Sequence, residues 1–239
     1  MPYFDHSRRE LRLKVVYYGP GLGGKTTNLE LIHRRTRPEM RGKLISLQDT
    51  SERTLFFDLL PLDVGTYRGY TVRMHLCTVP GQIASDSVRK MVLRHVDGIV
   101  MVVDSQLARL PENVQSLRNL EVNLRLQGDD PAVLPTVVQY NKRDLPTAVA
   151  VDELARMLGV PDGVPQLEAV ASQGIGVFDT LKAIARACLE VLPDPSQAPQ
   201  GRVPSILPGR HASMFPDAEP DALAAAAAGQ LGSGRSPRR

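Results

Sequence analysis

An apolar run from Leu13 to Tyr18 leads directly into Gly19-Pro20-Gly21-Leu22-Gly23-Gly24-Lys25-Thr26, a string of the form G-x-x-x-x-G-K-[ST]. The run reads as a buried strand, and the string is the turn by which such a strand enters a helix while backbone N–H groups curl around an anion. Gly19, Gly21, Leu22, Gly23 and Gly24 form the cradle, Lys25 reaches the outer phosphates, and the Thr26 hydroxyl is a ligand for Mg²⁺. A strand, a phosphate loop and a helix in that order commit the chain to an α/β sheet with a nucleotide at its edge.

The same loop serves ATPases, GTPases and small-molecule kinases, so the base must be read elsewhere. Asn141-Lys142-Arg143-Asp144 follows a second apolar strand, from Pro135 to Tyr140. The Asp144 carboxylate can accept from N1–H and N2–H of guanine, a donor pair that adenine lacks, and a polar group left unpaired penalises the wrong base. Asn141, Lys142 and Asp144 therefore point to GTP or GDP, which disfavours a kinase of small molecules.

Between and beyond these motifs, strand and helix signals alternate. A helix is expected over 27–35, two strands over 55–64 and 70–79 divided by Gly65 and Gly69, and a helix over 85–95. An apolar strand at 98–104 follows, then a helix over 111–126, the strand from Pro135, a helix over 151–158, a strand over 166–170 and a last helix over 176–192. Such alternation implies a mainly parallel sheet of six or seven strands, helices on both faces and one antiparallel strand pair.

With these motifs in order, the chain resembles the Ras-like small GTPases and, within them, the bacterial MglA-like group. The resemblance spans roughly residues 8–192 and rests on five blocks: the phosphate loop through Leu29, Arg53-Thr54-Leu55-Phe56-Phe57-Asp58, Thr78-Val79-Pro80-Gly81-Gln82, Asn141 to Asp144, and Glu168-Ala169-Val170-Ala171. It implies a GTP switch of cell polarity or gliding motility, with a roadblock-type (MglB-like) activating protein and effectors that bind in one nucleotide state. By the same resemblance Gln82 orients the attacking water, and Arg53 stabilises charge at the γ-phosphate. An arginine in Ser51-Glu52-Arg53 is also open to reading as a surface ion-pair partner. Thr54 is expected at Mg²⁺ and the γ-phosphate, Thr27 at the α-phosphate, Gly81 beside the nucleotide, and the Ala169 N–H at guanine O6. Gly21 is expected to leave room beside the γ-phosphate.

One position departs from the general Ras-like pattern: Thr78 stands where Asp-x-x-Gly has its aspartate, a substitution the MglA-like group shares. The carboxylate that would hold a Mg²⁺-bound water is thus missing there. Asp58 either supplies one nearby, if its strand shifts, or is an edge-strand surface residue. The missing carboxylate, together with the two readings open for Arg53, also motivates an alternative, a GTP-gated scaffold with little hydrolysis.

The 239 residues and 42% hydrophobic content suffice for one α/β domain plus a tail. A formal charge of +3 is too small an imbalance for a nucleic-acid stripe. Two cysteines, Cys77 and Cys188, both in apolar stretches, suit core thiols in a reducing compartment. The N-terminus lacks an apolar leader, no run is long enough to span a membrane, and neither Pro2 nor the cysteine positions suit lipidation. A cytoplasmic location is expected, with recruitment to cell poles through partners. From Pro193 the composition turns to Pro, Gly, Ser and Ala; eight of the 19 prolines lie there, so residues 193–239 read as a disordered tail. Asp221 to Ala228 could form a short alanine-rich helix within it.

Overall fold

The computed structural model describes residues 2–48, 54–79, 86–195 and 197–202. Its strands are β1 (Tyr3–Asp5), β2 (Glu10–Tyr18), β3 (Ile45–Gln48), β4 (Thr54–Tyr67), β5 (Tyr70–Thr78), β6 (Gly98–Asp104), β7 (Thr136–Asn141), β8 (Gln166–Glu168) and β9 (Gly201–Arg202). The α-helices are α1 (Lys25–Arg35), α2 (Asp86–Leu93), α3 (Leu110–Leu126), α4 (Val151–Leu158) and α5 (Val177–Glu190), with 3₁₀ turns at Pro38–Met40 and Leu107–Arg109. From β6 onward strand and helix alternate, while β1–β2 and β3–β4–β5 follow one another without an intervening α-helix.

These strands form one sheet in the order β3-β4-β5-β2-β6-β7-β8, with β1 paired to β2 and β9 to β1. Strand β2 is parallel to both β5 and β6, and β6, β7 and β8 continue the parallel run. Period-two alternation sends Leu11, Leu13, Val15 and Tyr17 to one core and Val16 and Tyr18 to the other. In β6 every residue is buried, as a parallel strand covered on both faces requires. Leu29 and Ile32 of α1 and Leu181 and Ile184 of α5 fill the first core. Val92 of α2, Leu120 of α3 and Leu154 of α4 fill the second. Because β5 and β6 flank β2 on opposite sides, a crevice opens at its carboxyl end, where the phosphate loop lies.

The expected antiparallel pair is β4–β5, with Tyr67 opposite Tyr70. Its two-residue turn places Arg68 and Gly69 at φ 47° and 83°, the left-handed conformations that a tight hairpin matching strand twist demands. The structure extends this pair: β3, absent from the sequence reading, lies antiparallel outside β4, so β4 is an interior strand. Both cysteines are buried, and burial pushes the Cys77 thiol up to about 11 and the Cys188 thiol higher still. Neither is a ready nucleophile.

The ordered structure also overruns the boundaries expected at 8 and 193. Phe4 of β1 is fully buried, and β9 pairs with β1 through Tyr3 opposite Arg202. His6 joins the two ends: Nδ1 lies 2.7 Å from the Tyr70 hydroxyl and Nε2 lies 2.7 Å from the Ala198 carbonyl oxygen. A 2.6 Å ion pair from Arg68 to Asp194 holds the same return. Residues 193–195 and 197–202 therefore belong to the folded body, despite their tail-like composition.

Candidate nucleotide-binding site

The phosphate loop runs from the end of β2 into α1, whose first residue is Lys25. Two of its glycines are required by close approach. A Cβ on Gly19, at φ 143°, would stand 2.2 Å from the Val102 carbonyl oxygen; one on Gly24, at φ 99°, would stand 2.2 Å from Asn141 Nδ2. Leu22 adopts φ 61° with its side chain 70% exposed. Positive φ at Gly19, Leu22 and Gly24 curls the loop ahead of α1, and a curled loop at a helix N-terminus suits an anion nest.

Carbonyls of the loop are drawn to partners around it. Lys25 Nζ donates to Gly19 O at 3.0 Å and Pro20 O at 2.7 Å, and the Gly23 N–H returns to Pro20 O at 3.2 Å. Arg109 Nη2 donates to Gly21 O at 2.8 Å, and Asn141 Nδ2 to Gly23 O at 2.9 Å. Lys25 is 6% exposed. Burial, and then the nearby Arg89 guanidinium, push its ammonium down to about 7, with the Asp58 carboxylate working the other way. Thr27 sits half-buried in the first turn of α1.

Asp58 resolves the question its sequence left open. It is wholly buried in β4, and its Oδ2 accepts from Thr26 Oγ1 at 2.6 Å and from Thr78 Oγ1 at 2.8 Å. Ser46 Oγ donates to the other carboxylate oxygen, and the Asp58 N–H donates back to Thr78 Oγ1 at 2.8 Å. Thr78 thus has a purpose beyond substitution: its hydroxyl braces the carboxylate of the neighbouring strand, and no shift of β4 is needed to bring Asp58 to Thr26. Sequence reasoning had named the residue but could not choose its direction.

On the base side, Asn141 ends β7 almost fully buried, and its Oδ1 accepts from the Ala171 N–H at 2.9 Å. Lys142, at φ 66°, sends Nζ to Asp104 Oδ2 at 2.7 Å. Asp144 stands exposed just beyond, and Arg143 pairs with Glu168 at 2.7 Å. Asn141, Lys142 and the loop glycines are thereby brought together.

Ala169 is a correction. It is buried, its N–H donates to Tyr140 O at 2.8 Å and its carbonyl accepts from the Arg143 N–H at 3.2 Å. The amide expected at guanine O6 is spent extending the β7–β8 ladder, and the loop meets Asn141 two residues later, at Ala171. Arg53, Gly81 and Gln82 lie outside the described residues, and Thr54 begins β4 with its backbone opposite Gln48.

Sequence reasoning missed Asp104 and Arg109. Asp104 is wholly buried at the carboxyl end of β6, fixed by its N–H to Asn113 Oδ1 at 3.0 Å and by Asn113 Nδ2 to its carbonyl at 2.8 Å. A carboxylate closing an otherwise apolar parallel strand was the available signal.

A phosphate nest, a buried carboxylate facing its threonine, and an Asn-Lys-x-Asp strand end are the parts of a guanine-nucleotide site, and comparison with known proteins agrees. The pattern of the ADP-ribosylation factor family matches residues 47–190. Over 192 residues the chain is 53% identical to the Mutual gliding-motility protein MglA of Myxococcus xanthus (strain DK1622), covering 80% of this chain and 98% of that protein. It is 31% identical to ADP-ribosylation factor-like protein 2 of Drosophila melanogaster, over 65% of this chain and 73% of that protein. A 29% identical match to Elongation factor 4 of Sorangium cellulosum (strain So ce56) takes in 31% of that longer protein. With its phosphate loop, base motif and sheet order all in place, the chain belongs to the ADP-ribosylation factor family and is an MglA-like small GTPase.

Proposed function

We propose that this GTPase is a switch for cell polarity or gliding motility, cycling between a GTP form that binds effectors and a GDP form that releases them. The 53% identity to a gliding-motility protein supports the output, and the convergence of Lys25, Thr26 and Asp58 on one loop supports the nucleotide chemistry.

The residues present fit Mg²⁺. The Thr26 hydroxyl and the Asp58 carboxylate, 2.6 Å apart, are hard oxygen donors beside the nest, and Mg²⁺ needs few protein ligands because it retains water and takes phosphate oxygens. When bound, the ion neutralises charge on the phosphate oxygens. Thr26 would hold it directly and Asp58 directly or through water, with Thr54 joining in the GTP form. This carboxylate answers the part of the scaffold reading that rested on Thr78; the part that rested on Arg53 falls on a residue outside those described.

In hydrolysis, the water oxygen forms a bond to the γ-phosphorus as the bond to the β,γ-bridging oxygen breaks, GDP leaves with that electron pair, and a proton of the water passes to an oxygen of the departing phosphate. Gln82 orients the water and Arg53 meets the charge on the γ-oxygens. Lys25 turns from Gly19 and Pro20 to the phosphates, while Asn141, Lys142 and Asp144 hold the base. Turnover without a partner is slow, roughly 10⁻⁴ per second for Ras-like enzymes. A roadblock-type activating protein accelerates it, in the cytoplasm and at cell poles reached through partners. The GTPase domain, expected over 8–192, takes in the β1 edge and the return through Arg202, and the tail follows.

Single-turnover phosphate release tests the catalytic assignment. Arg53→Ala and Gln82→Ala retain GTP binding and lose partner-stimulated release, by about 10³-fold for the arginine. Normal stimulated release in both variants contradicts it.

A further inference from the structure

We infer that Arg109 is a positioning residue for the phosphate loop, fixing the Gly21–Leu22 peptide so that the Leu22 N–H faces the nucleotide phosphates. The inference rests on reading 19–26 as the phosphate loop, and it begins with a side chain that no motif contains. Arg109 ends the 3₁₀ turn after β6 and immediately precedes α3. Its planar fork has three anchors: Nη2 donates to Gly21 O at 2.8 Å, Nη1 to Glu112 Oε1 at 2.5 Å, and Nε lies 3.8 Å from Asp104 Oδ2. Asp104 is wholly buried and also takes Lys142 at 2.7 Å. A rigid guanidinium held at two carboxylates presents its remaining N–H in one direction.

That direction decides where an amide points. Among the described residues there are no cis peptide bonds, so the Leu22 N–H is directed opposite to the Gly21 carbonyl and hence away from Arg109. Leu22 sits at φ 61°, which a leucine rarely adopts, and its side chain is 70% exposed, so little packing of its own keeps it there. The hydrogen bond from Arg109 is the tie on this peptide.

Its neighbours are held differently. Gly19 and Pro20 carbonyls are held by Lys25, the group that must swing to the phosphates when nucleotide arrives. Gly21 and Gly23 carbonyls are held by Arg109 and Asn141, neither of which has to let go. Arg109 therefore preserves the loop's shape through the exchange of Lys25, and a less preorganised loop pays more ordering cost on binding. Its contribution belongs to phosphate recognition and not to the base.

GDP and GMP separate these contributions, because they share a base and differ in the phosphate the nest must hold. On full-length, nucleotide-free protein, Arg109→Ala is expected to weaken GDP roughly tenfold while changing GMP by less than about twofold, as loss of one charge-assisted hydrogen bond to the nest. Arg109→Lys, which offers a single donor, recovers part of the GDP affinity. Unchanged GDP affinity in Arg109→Ala, or equal losses for GDP and GMP, overturns the inference. If Arg109→Ala does not fold, Arg109→Lys carries the same comparison: a loss confined to GDP supports the inference and equal losses overturn it. Wild-type protein that fails to bind GDP would instead contradict the phosphate-loop reading itself.

Discussion

On the base side of the phosphate loop, Asn141 bonds both Gly23 O and the Ala171 N–H, while Lys142 is held at Asp104. On the phosphate side, Lys25 lies against two loop carbonyls and Asp58 collects three hydroxyls from Thr26, Ser46 and Thr78. The first set is a network of groups whose partners are permanent. The second holds buried charges on partners that a nucleotide can replace. One side of the loop is built to stay in place and the other to exchange, which is the division of labour a switch requires: the base stays bound while contacts around the terminal phosphate come and go.

The difference is sharpest at Asn141. Asn141→Ala leaves the Gly23 carbonyl and the Ala171 N–H without their partner in a buried site, at about 1–3 kcal/mol each. Loss of GDP affinity by about a hundredfold, with a lower Tm for the nucleotide-free protein, is expected from titration and thermal melting. An Asn141→Ala protein with wild-type affinity would break the picture of a fixed base side.

Lys25 gives a subtler effect with a definite sign. In the nucleotide-free protein its ammonium is depressed to about 7, and adjacent phosphates favour the charged form and raise it again. Binding at about pH 8 therefore takes up protons, the uptake fades below about pH 6, and nucleotide affinity falls as pH rises above 7. Calorimetry of GDP binding in buffers of different ionisation enthalpy reads the uptake directly. Binding without proton uptake at pH 8 would mean that Lys25 is already charged in the free protein.

The sheet core and both nucleotide motifs were legible because each is written locally. The apolar run of β6 from Gly98 to Asp104 matches the structure at both ends, and so does α4 from Val151 to Leu158. What escaped depends on pairings distant in sequence. Strand β3 is short and half polar, and without it β4 reads as an edge strand and Asp58 as a surface residue. Pairing with β3 on one side and β5 on the other is what encloses Asp58. Strands β1 and β9 are two or three residues long; β1 pairs with β2 beside it, and β9 reaches β1 from the far end of the described chain. Composition made the β9 segment read as tail, and the resemblance began only after β1. Ala169 failed for a related reason: one further ladder hydrogen bond, to Tyr140, consumes its amide.

Asp58 supplying the carboxylate that position 78 lacks is tested most directly by the Mg²⁺ dependence of GDP release from Asp58→Asn. With Asp58 serving the ion, the variant needs at least about tenfold more Mg²⁺ to slow release, as loss of a charged oxygen partner implies, while release in excess chelator stays close to wild type. A Mg²⁺ dependence identical to wild type would contradict the assignment and leave the hydroxyls of Thr26 and Thr78 to hold the ion alone.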